Sequence, residues 1–198
     1  DMNQERLNRI LQGMKDRGVD ELIISDPIAI YYLLGRKIVP GERMLVLYIH
    51  IDGTTKLVIN ELFPQDGDVG VDLVWYNDID DGVKILSDHM KEGKVIGIDK
   101  NWASHFLLRL QELHPELKYV NGSEIVDDVR QIKDEEEKQL MRDSSKICDK
   151  VMEELIPWVV KGLTEKELNA KTRELFAKHG VTEVSFDPIT AYGRGGAD

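Results

Sequence analysis

Over residues 1–128 the chain predicts an α/β fold, a mixed β-sheet flanked by helices, and three observations carry that reading. Short apolar runs bounded by turn residues (ELIIS, MLVLYIHI, KLVIN, VDLVWY, KVIGID) alternate with stretches whose apolar residues recur at helical period. Two of the runs, residues 44–51 and 56–60, are joined by DGTT, a turn signal that makes them an antiparallel hairpin. The resulting order is α β α β β β α β α β α, and helices interleaved with strands imply a sheet covered on its faces.

Each element has its own local reason. Asn3 caps a first helix whose apolar positions are Leu7, Ile10, Leu11 and Met14, and Gly18 ends it. Residues 21–25 (ELIIS) form a buried strand. Residues 26–35 (DPIAIYYLLG) start with Pro27 at a helix-initiating position and end in Gly35, a short helix. The polar loop GRKIVPGER follows, turning at Pro40 and Gly41. After the hairpin, FPQDGDVGV connects to a strand at 71–76. A helix over 80–91 carries Val83, Leu86 and Met90, and residues 94–99 are a buried strand. Ser104 caps a helix with Phe106, Leu107, Leu110 and Leu113, which stops before Pro115. Residues 117–120 are a last short strand, and Ser123 begins a short helix. The expected interior comprises Ile23, Ile24, Leu45, Leu47, Ile49, Val58, Val95, Ile96 and Ile98 from the sheet. Leu7, Leu11, Phe106, Leu107 and Leu110 join them from the helices.

Residues 129–198 read as a second region. Its long helix places Leu140, Ser144, Ile147, Val151, Leu155 and Val159 on one face, with Met141, Cys148 and Met152 alongside. Asp134 and Glu137 form a capping box, and acidic residues crowd the first turn, where the helix dipole favours them. Pro157 and Gly162 bracket the far end, the proline either kinking the helix or stopping it. Cys148 is expected to be a buried structural thiol. Thr164 and Glu167 open a further helix over 165–178, with Gly180 just past its end. EVSFDPITA (183–191) reads as a strand interrupted at Pro188, with Val184, Phe186 and Pro188 on one face.

Composition narrows the function classes. The chain has 198 residues, 41% hydrophobic and 32% charged, with a formal net charge of −11. That balance argues against a nucleic-acid partner, which needs a concentrated basic surface. No run of 18 apolar residues is present to span a membrane. The amphipathic start lacks the apolar core of a signal peptide, and the single Cys148 forms no internal disulfide, so a cytoplasmic protein is expected. Of the five His, none pairs with another ligand at metal-site spacing. The RGG of YGRGGAD lacks a phosphate-loop ending, IGID and VNGS carry no glycine fingerprint, and Asp66, Asp68 and Asp72 lack a calcium-loop frame. From residue chemistry alone no active site emerges.

Several collinear segments resemble the Xaa-Pro peptidases of the creatinase/prolidase/aminopeptidase P type. They are IYYLLG at 30–35, GERMLVLYIHIDG at 41–53, IGIDKNW at 96–102, VRQIKDEEEKQLMRDSSKICD at 129–149, GLTEKEL at 162–168 and VSFDPITAYGRGGAD at 184–198. Leu34 stands where the family usually has Thr, and Arg36 where it often has an aromatic residue. The resemblance implies an N-terminal domain over 1–128, followed over 129–198 by the beginning of a truncated α+β pita-bread catalytic domain. It implies a metallopeptidase that hydrolyses the bond before proline in proline-containing peptides. Two divalent ions (Mn, Co or Zn) would activate a bridging water and polarise the scissile carbonyl. The family's metal ligands lie beyond the last strand of this chain, so the 198 residues alone are expected to bind no metal and to be inactive. The resemblance also implies a homodimer in which the 35–43 loop approaches the partner's active-site mouth, with Arg36 or Arg43 near the partner. Phe186 is the one expected substrate-binding residue, in an apolar pocket for the proline ring; core packing is its alternative. A creatinase-like C–N hydrolase and a non-catalytic dimerisation or binding relative are the other readings.

Overall fold

The computed structural model describes residues 1–182 and divides into two compact units, Asp1–Ile132 and Lys133–Asp198. The first contains α1 (Gln4–Arg17), β1 (Glu21–Ile24), α2 (Pro27–Leu34), β2 (Val46–His50), β3 (Thr55–Asn60), β4 (Asp72–Tyr76), α3 (Gly82–His89), β5 (Val95–Ile98), α4 (Ser104–Leu113), β6 (Lys118–Asn121) and α5 (Ser123–Gln131). This is the order expected from the sequence.

The strands form one six-stranded sheet in the order β4-β3-β2-β1-β5-β6. The β2–β3 hairpin is antiparallel, with Leu47 opposite Leu57, and β1 lies antiparallel to β2 with Ile23 opposite Tyr48. The pairs β3–β4, β1–β5 and β5–β6 are parallel, so β2 alone runs against the rest. Alternation along each strand sorts the core into two layers. Leu22, Ile24, Leu47, Ile49, Leu57 and Ile59 face α1, α2 and α5, meeting Ile10, Met14, Ile30, Leu33 and Ile125. Ile23, Val46, Tyr48, Val58, Ile96 and Ile98 face α3 and α4, meeting Val83, Leu86 and Leu110. A sheet covered on both sides explains why its strands read as continuous apolar runs rather than as alternating ones.

Local chemistry sets the helix ends. Asn3 accepts from the Arg6 N–H and Asp26 from the Ile28 N–H, while Gly18 and Gly35 close α1 and α2 at φ of 67° and 64°. At α4 the expectation needs correction. Ala103, not Ser104, occupies the N-cap, and no side chain caps the helix. A turn closed by Trp102 N–H on the Asp99 carbonyl (3.1 Å) starts the winding one residue early. The single glycines of IGID and VNGS turn out to meet each other. A Cβ on Gly122 would lie 2.9 Å from the Gly97 backbone and 2.6 Å from Leu22 Cδ1, so both glycines serve a close approach of α5 to β5.

The second unit begins with α6 (Glu135–Val160) and α7 (Glu165–Lys178). Both expected capping boxes form, Asp134 with Glu137 and Thr164 with Glu167. Pro157 lies inside α6 rather than ending it. Val151 and Leu155 pack on Leu168 and Leu175, with Ile147, Trp158 and Phe176 alongside. The buried stripe is narrower than the expected face. Leu140 is 61% exposed and Val159 49% exposed. Cys148 is exposed, not the buried thiol expected, because α7 covers only the stripe through Ile147, Val151 and Leu155, one position round the helix. The strand expected at 183–191 lies outside the described residues.

Candidate functional site

In an open sheet, a crevice arises where two adjacent parallel strands send their following helices to opposite faces. Here β1 leads to α2 on one face and β5 to α4 on the other, as the two core layers record. A crevice of about 610 Å³ opens at their carboxyl ends, between Ser25, Pro27, Pro40, Arg43, Trp102 and Phe106. Asp99, just after β5, ties the end of β1 to the turn that precedes α4. One carboxylate oxygen accepts from the N–H groups of Ser25 (3.0 Å) and Asp26 (2.9 Å), the other from Asn101 N–H (3.0 Å). Trp102 is 7% exposed, and its Nε1–H and the Ser25 Oγ have no partner among the described residues. Trp102 and His105 both lean on Phe106, with ring centroids 6.1 and 4.0 Å away.

A second cleft, about 710 Å³, lies at the opposite strand ends, lined by Glu21, His50, Lys91, Gly93 and His114 among others. Glu21 is fully buried. Its Oε1 accepts from Tyr48 O–H at 2.6 Å, while Oε2 has no partner among the described residues. Burial pushes the Glu21 carboxyl above its ordinary value, and the Tyr48 hydrogen bond only partly opposes this. With its proton on Nε2, His50 donates to the Glu92 carbonyl (2.8 Å) and accepts from the Asp52 N–H (3.1 Å). Lys91 pairs with Asp52, whose carboxyl is held well below its ordinary value chiefly by that contact.

The residues singled out from the sequence are scattered. Arg36 donates to the carbonyls of Asp66 (2.7 Å) and Asp68 (2.9 Å), so the Asp/Gly-rich connection is held through its backbone. Arg43 clasps Asp78 through two contacts of 2.9 Å, and with Asn60 it holds that carboxyl down to about 2. Among the described residues no group of three or more His, Cys, Asp or Glu could hold a metal ion, so these residues do not fit a metal centre. No helix among them is long and apolar enough to cross a membrane. Phe186 lies outside the described residues. What the sequence reading missed is Asp99, which ties the end of β1 to the turn after β5 and whose only signal is a carboxylate straight after an apolar strand.

Residues 6–132 match the family model described as the Creatinase/Prolidase N-terminal domain. Residues 139–198 match Metallopeptidase family M24, a family that implies divalent metals. The Xaa-Pro dipeptidase of Pyrococcus furiosus is 25% identical over 193 residues, covering 96% of this chain and 53% of that protein. The Xaa-Pro dipeptidase of Pyrococcus horikoshii is 23% identical, covering 98% and 53%. The chain thus spans about half the length of the curated relatives it matches. The crystal structure of a prolidase from Thermococcus sibiricus shares its fold at a TM-score of 0.76 and 22% identity, covering 100% of this chain and 56% of that one. The chain belongs to the creatinase/prolidase family, carrying that family's N-terminal domain ahead of residues that match the M24 metallopeptidases.

Proposed function

We propose that this chain is the N-terminal part of a metal-dependent Xaa-Pro dipeptidase or aminopeptidase, which hydrolyses the peptide bond before proline in short peptides. The observation that carries this reading is the collinear pair of family matches, 6–132 and 139–198, in a chain whose relatives include Xaa-Pro dipeptidases. Residues 1–128 then act as the N-terminal domain and 129–198 as the beginning of the pita-bread domain. Two divalent ions, Mn, Co or Zn, would supply the activated water in the whole protein. The 198 residues by themselves carry no such centre among those described, and we assign them no hydrolytic activity. The whole protein is a cytoplasmic homodimer in this reading, with the 35–43 loop near the partner subunit. Phe186 lines the proline pocket.

Metal analysis after exhaustive dialysis tests the core of this proposal. The whole protein should retain about two divalent ions per chain, and the 198-residue chain none. A whole protein that retains no divalent metal would overturn the metallopeptidase reading. Sedimentation of the whole protein at micromolar concentration checks the assembly: a dimer is expected, and a monomer contradicts it.

A further inference from the structure

A hydroxyl, an imidazole and a carboxylate stand in series on the first unit, and the proposed peptidase chemistry makes no use of them. Ser87 lies in the last turn of α3, and His114 is the C-cap of α4. Glu116 follows two residues later, beyond Pro115, whose ring fixes φ between them. Val83, Leu86 and Leu110 join the two helices in the core layer beneath. The backbone of His114 is fixed as well. Its N–H donates to the Leu110 carbonyl (2.8 Å), and its own carbonyl accepts from Tyr119 O–H (2.9 Å). The ring bridges the other two side chains: Nε2 lies 2.6 Å from Ser87 Oγ, and Nδ1 lies 2.8 Å from Glu116 Oε1.

The carboxylate assigns the protons. Glu116 is held below its ordinary carboxyl value chiefly by His114, and an ionised carboxylate only accepts. In the neutral imidazole Nδ1 therefore carries the proton, and bare Nε2 accepts from the Ser87 O–H. This is the sequence of nucleophile, base and orienting group by which a serine hydroxyl is activated. The side chains of His114 and Glu116 are 27% and 64% exposed, and both residues line the 710 Å³ cleft. Ser87, part-buried, stands one turn before Met90 and Lys91 of the same lining. General-base activation contributes about 10²–10⁴-fold, which suits an ester with a good leaving group and falls far short of what an amide needs. We propose that Ser87 is a nucleophile that takes the acyl group of small activated esters, with His114 as its base and Glu116 as the positioning residue. Oγ bonds to the ester carbonyl carbon while Nε2 takes the hydroxyl proton. The C–O bond to the leaving group then breaks, and the departing oxygen keeps the electron pair and receives the proton from Nε2. Water attacks the acyl-Ser87 ester in turn, giving a proton to Nε2, which returns it to Oγ as the carboxylic acid leaves.

The test is acetylation of the 198-residue chain by p-nitrophenyl acetate, with EDTA present so that metal-dependent hydrolysis contributes nothing. Samples quenched in acid are mapped by peptide mass spectrometry. An acetyl group should appear on the Ser87 hydroxyl about 100-fold or more faster than on a serine of an unstructured peptide, and Ser87→Ala should remove it. His114→Ala should bring the rate down to that of the free peptide. Glu116→Ala changes an exposed side chain and so keeps the test valid where the histidine variant does not fold. It should slow acetylation of Ser87 about tenfold or more and let the His114 ring populate its Nε2–H tautomer, read from the ring ¹⁵N shifts. A clamp that merely joins α3 to α4 gives no acceleration at Ser87 in the first place. Acetyl groups confined to lysines or to the imidazole, a Ser87 rate equal to that of the free peptide, or an undiminished Ser87 rate in Glu116→Ala would each overturn the proposal.

Discussion

Single residues carry the electrostatic character of this molecule, and Glu21 is the most telling. Its carboxyl is fully buried, half-satisfied by Tyr48, and raised above its ordinary value by burial. The folded state therefore keeps this proton at a pH where the unfolded carboxyl, near 4.5, has lost it. Stability from this group falls as pH rises from that value through the raised one, and below it the penalty is absent. Glu21→Gln should flatten that part of the profile, as read from urea midpoints between pH 4 and 8; an unchanged slope would show that Glu21 is not the group responsible. Asp78 works in the opposite sense. Held down to about 2 by Arg43, it loses its contribution only as pH falls toward that value. Phe186 is the other residue on which a role rests. In the whole protein, Phe186→Ala should impair Xaa-Pro turnover and leave Tm nearly unchanged. A loss of about 3–5 kcal/mol of stability with normal kcat/KM would make it core instead.

Elements were the most legible scale, since caps, turns and periodicity are local. Asn3, Gly18, Pro27, Gly35 and both capping boxes do what their residue types predict. Errors came where a neighbouring segment decides the outcome. The Asp99 turn moved the N-cap of α4 to Ala103, and α7 selected which stripe of α6 to bury, leaving Cys148 outside it. Leu107 was expected in the core and is only partly buried, whereas Leu110 is 0% exposed. Leu110→Ala should therefore cost about 2–5 kcal/mol, Leu107→Ala less, and the substitution of Leu108, 59% exposed, within about 0.5 kcal/mol. Chemical denaturation of the three variants checks the order; any other ranking misplaces the buried face of α4. Gly122→Ala should also destabilise, by about 1–3 kcal/mol or more, because its Cβ would strike Leu22 and the Gly97 backbone.

For the whole molecule, the sequence announced a mixed sheet and one hairpin, but not that β1 sits between β2 and β5. Strand order depends on pairings far apart in the chain, such as Ile23 with Ile98, which periodicity does not report. The crevice was invisible for the same reason: Ser25 and Trp102 share it only because β1 and β5 are neighbours. Family membership, by contrast, was legible from scattered segments that mean little one by one. In the function proposed above, the chemistry belongs to the whole protein, where two metal ions and a proline pocket would act together. The most direct measurement is steady-state hydrolysis of a matched pair of dipeptides, Xaa-Pro and Xaa-Ala, by the whole protein with added Mn²⁺. Cleavage of Xaa-Pro that strongly exceeds cleavage of Xaa-Ala, and that disappears on chelation, is the predicted result; failure to cleave Xaa-Pro, or equal cleavage of both, would contradict it.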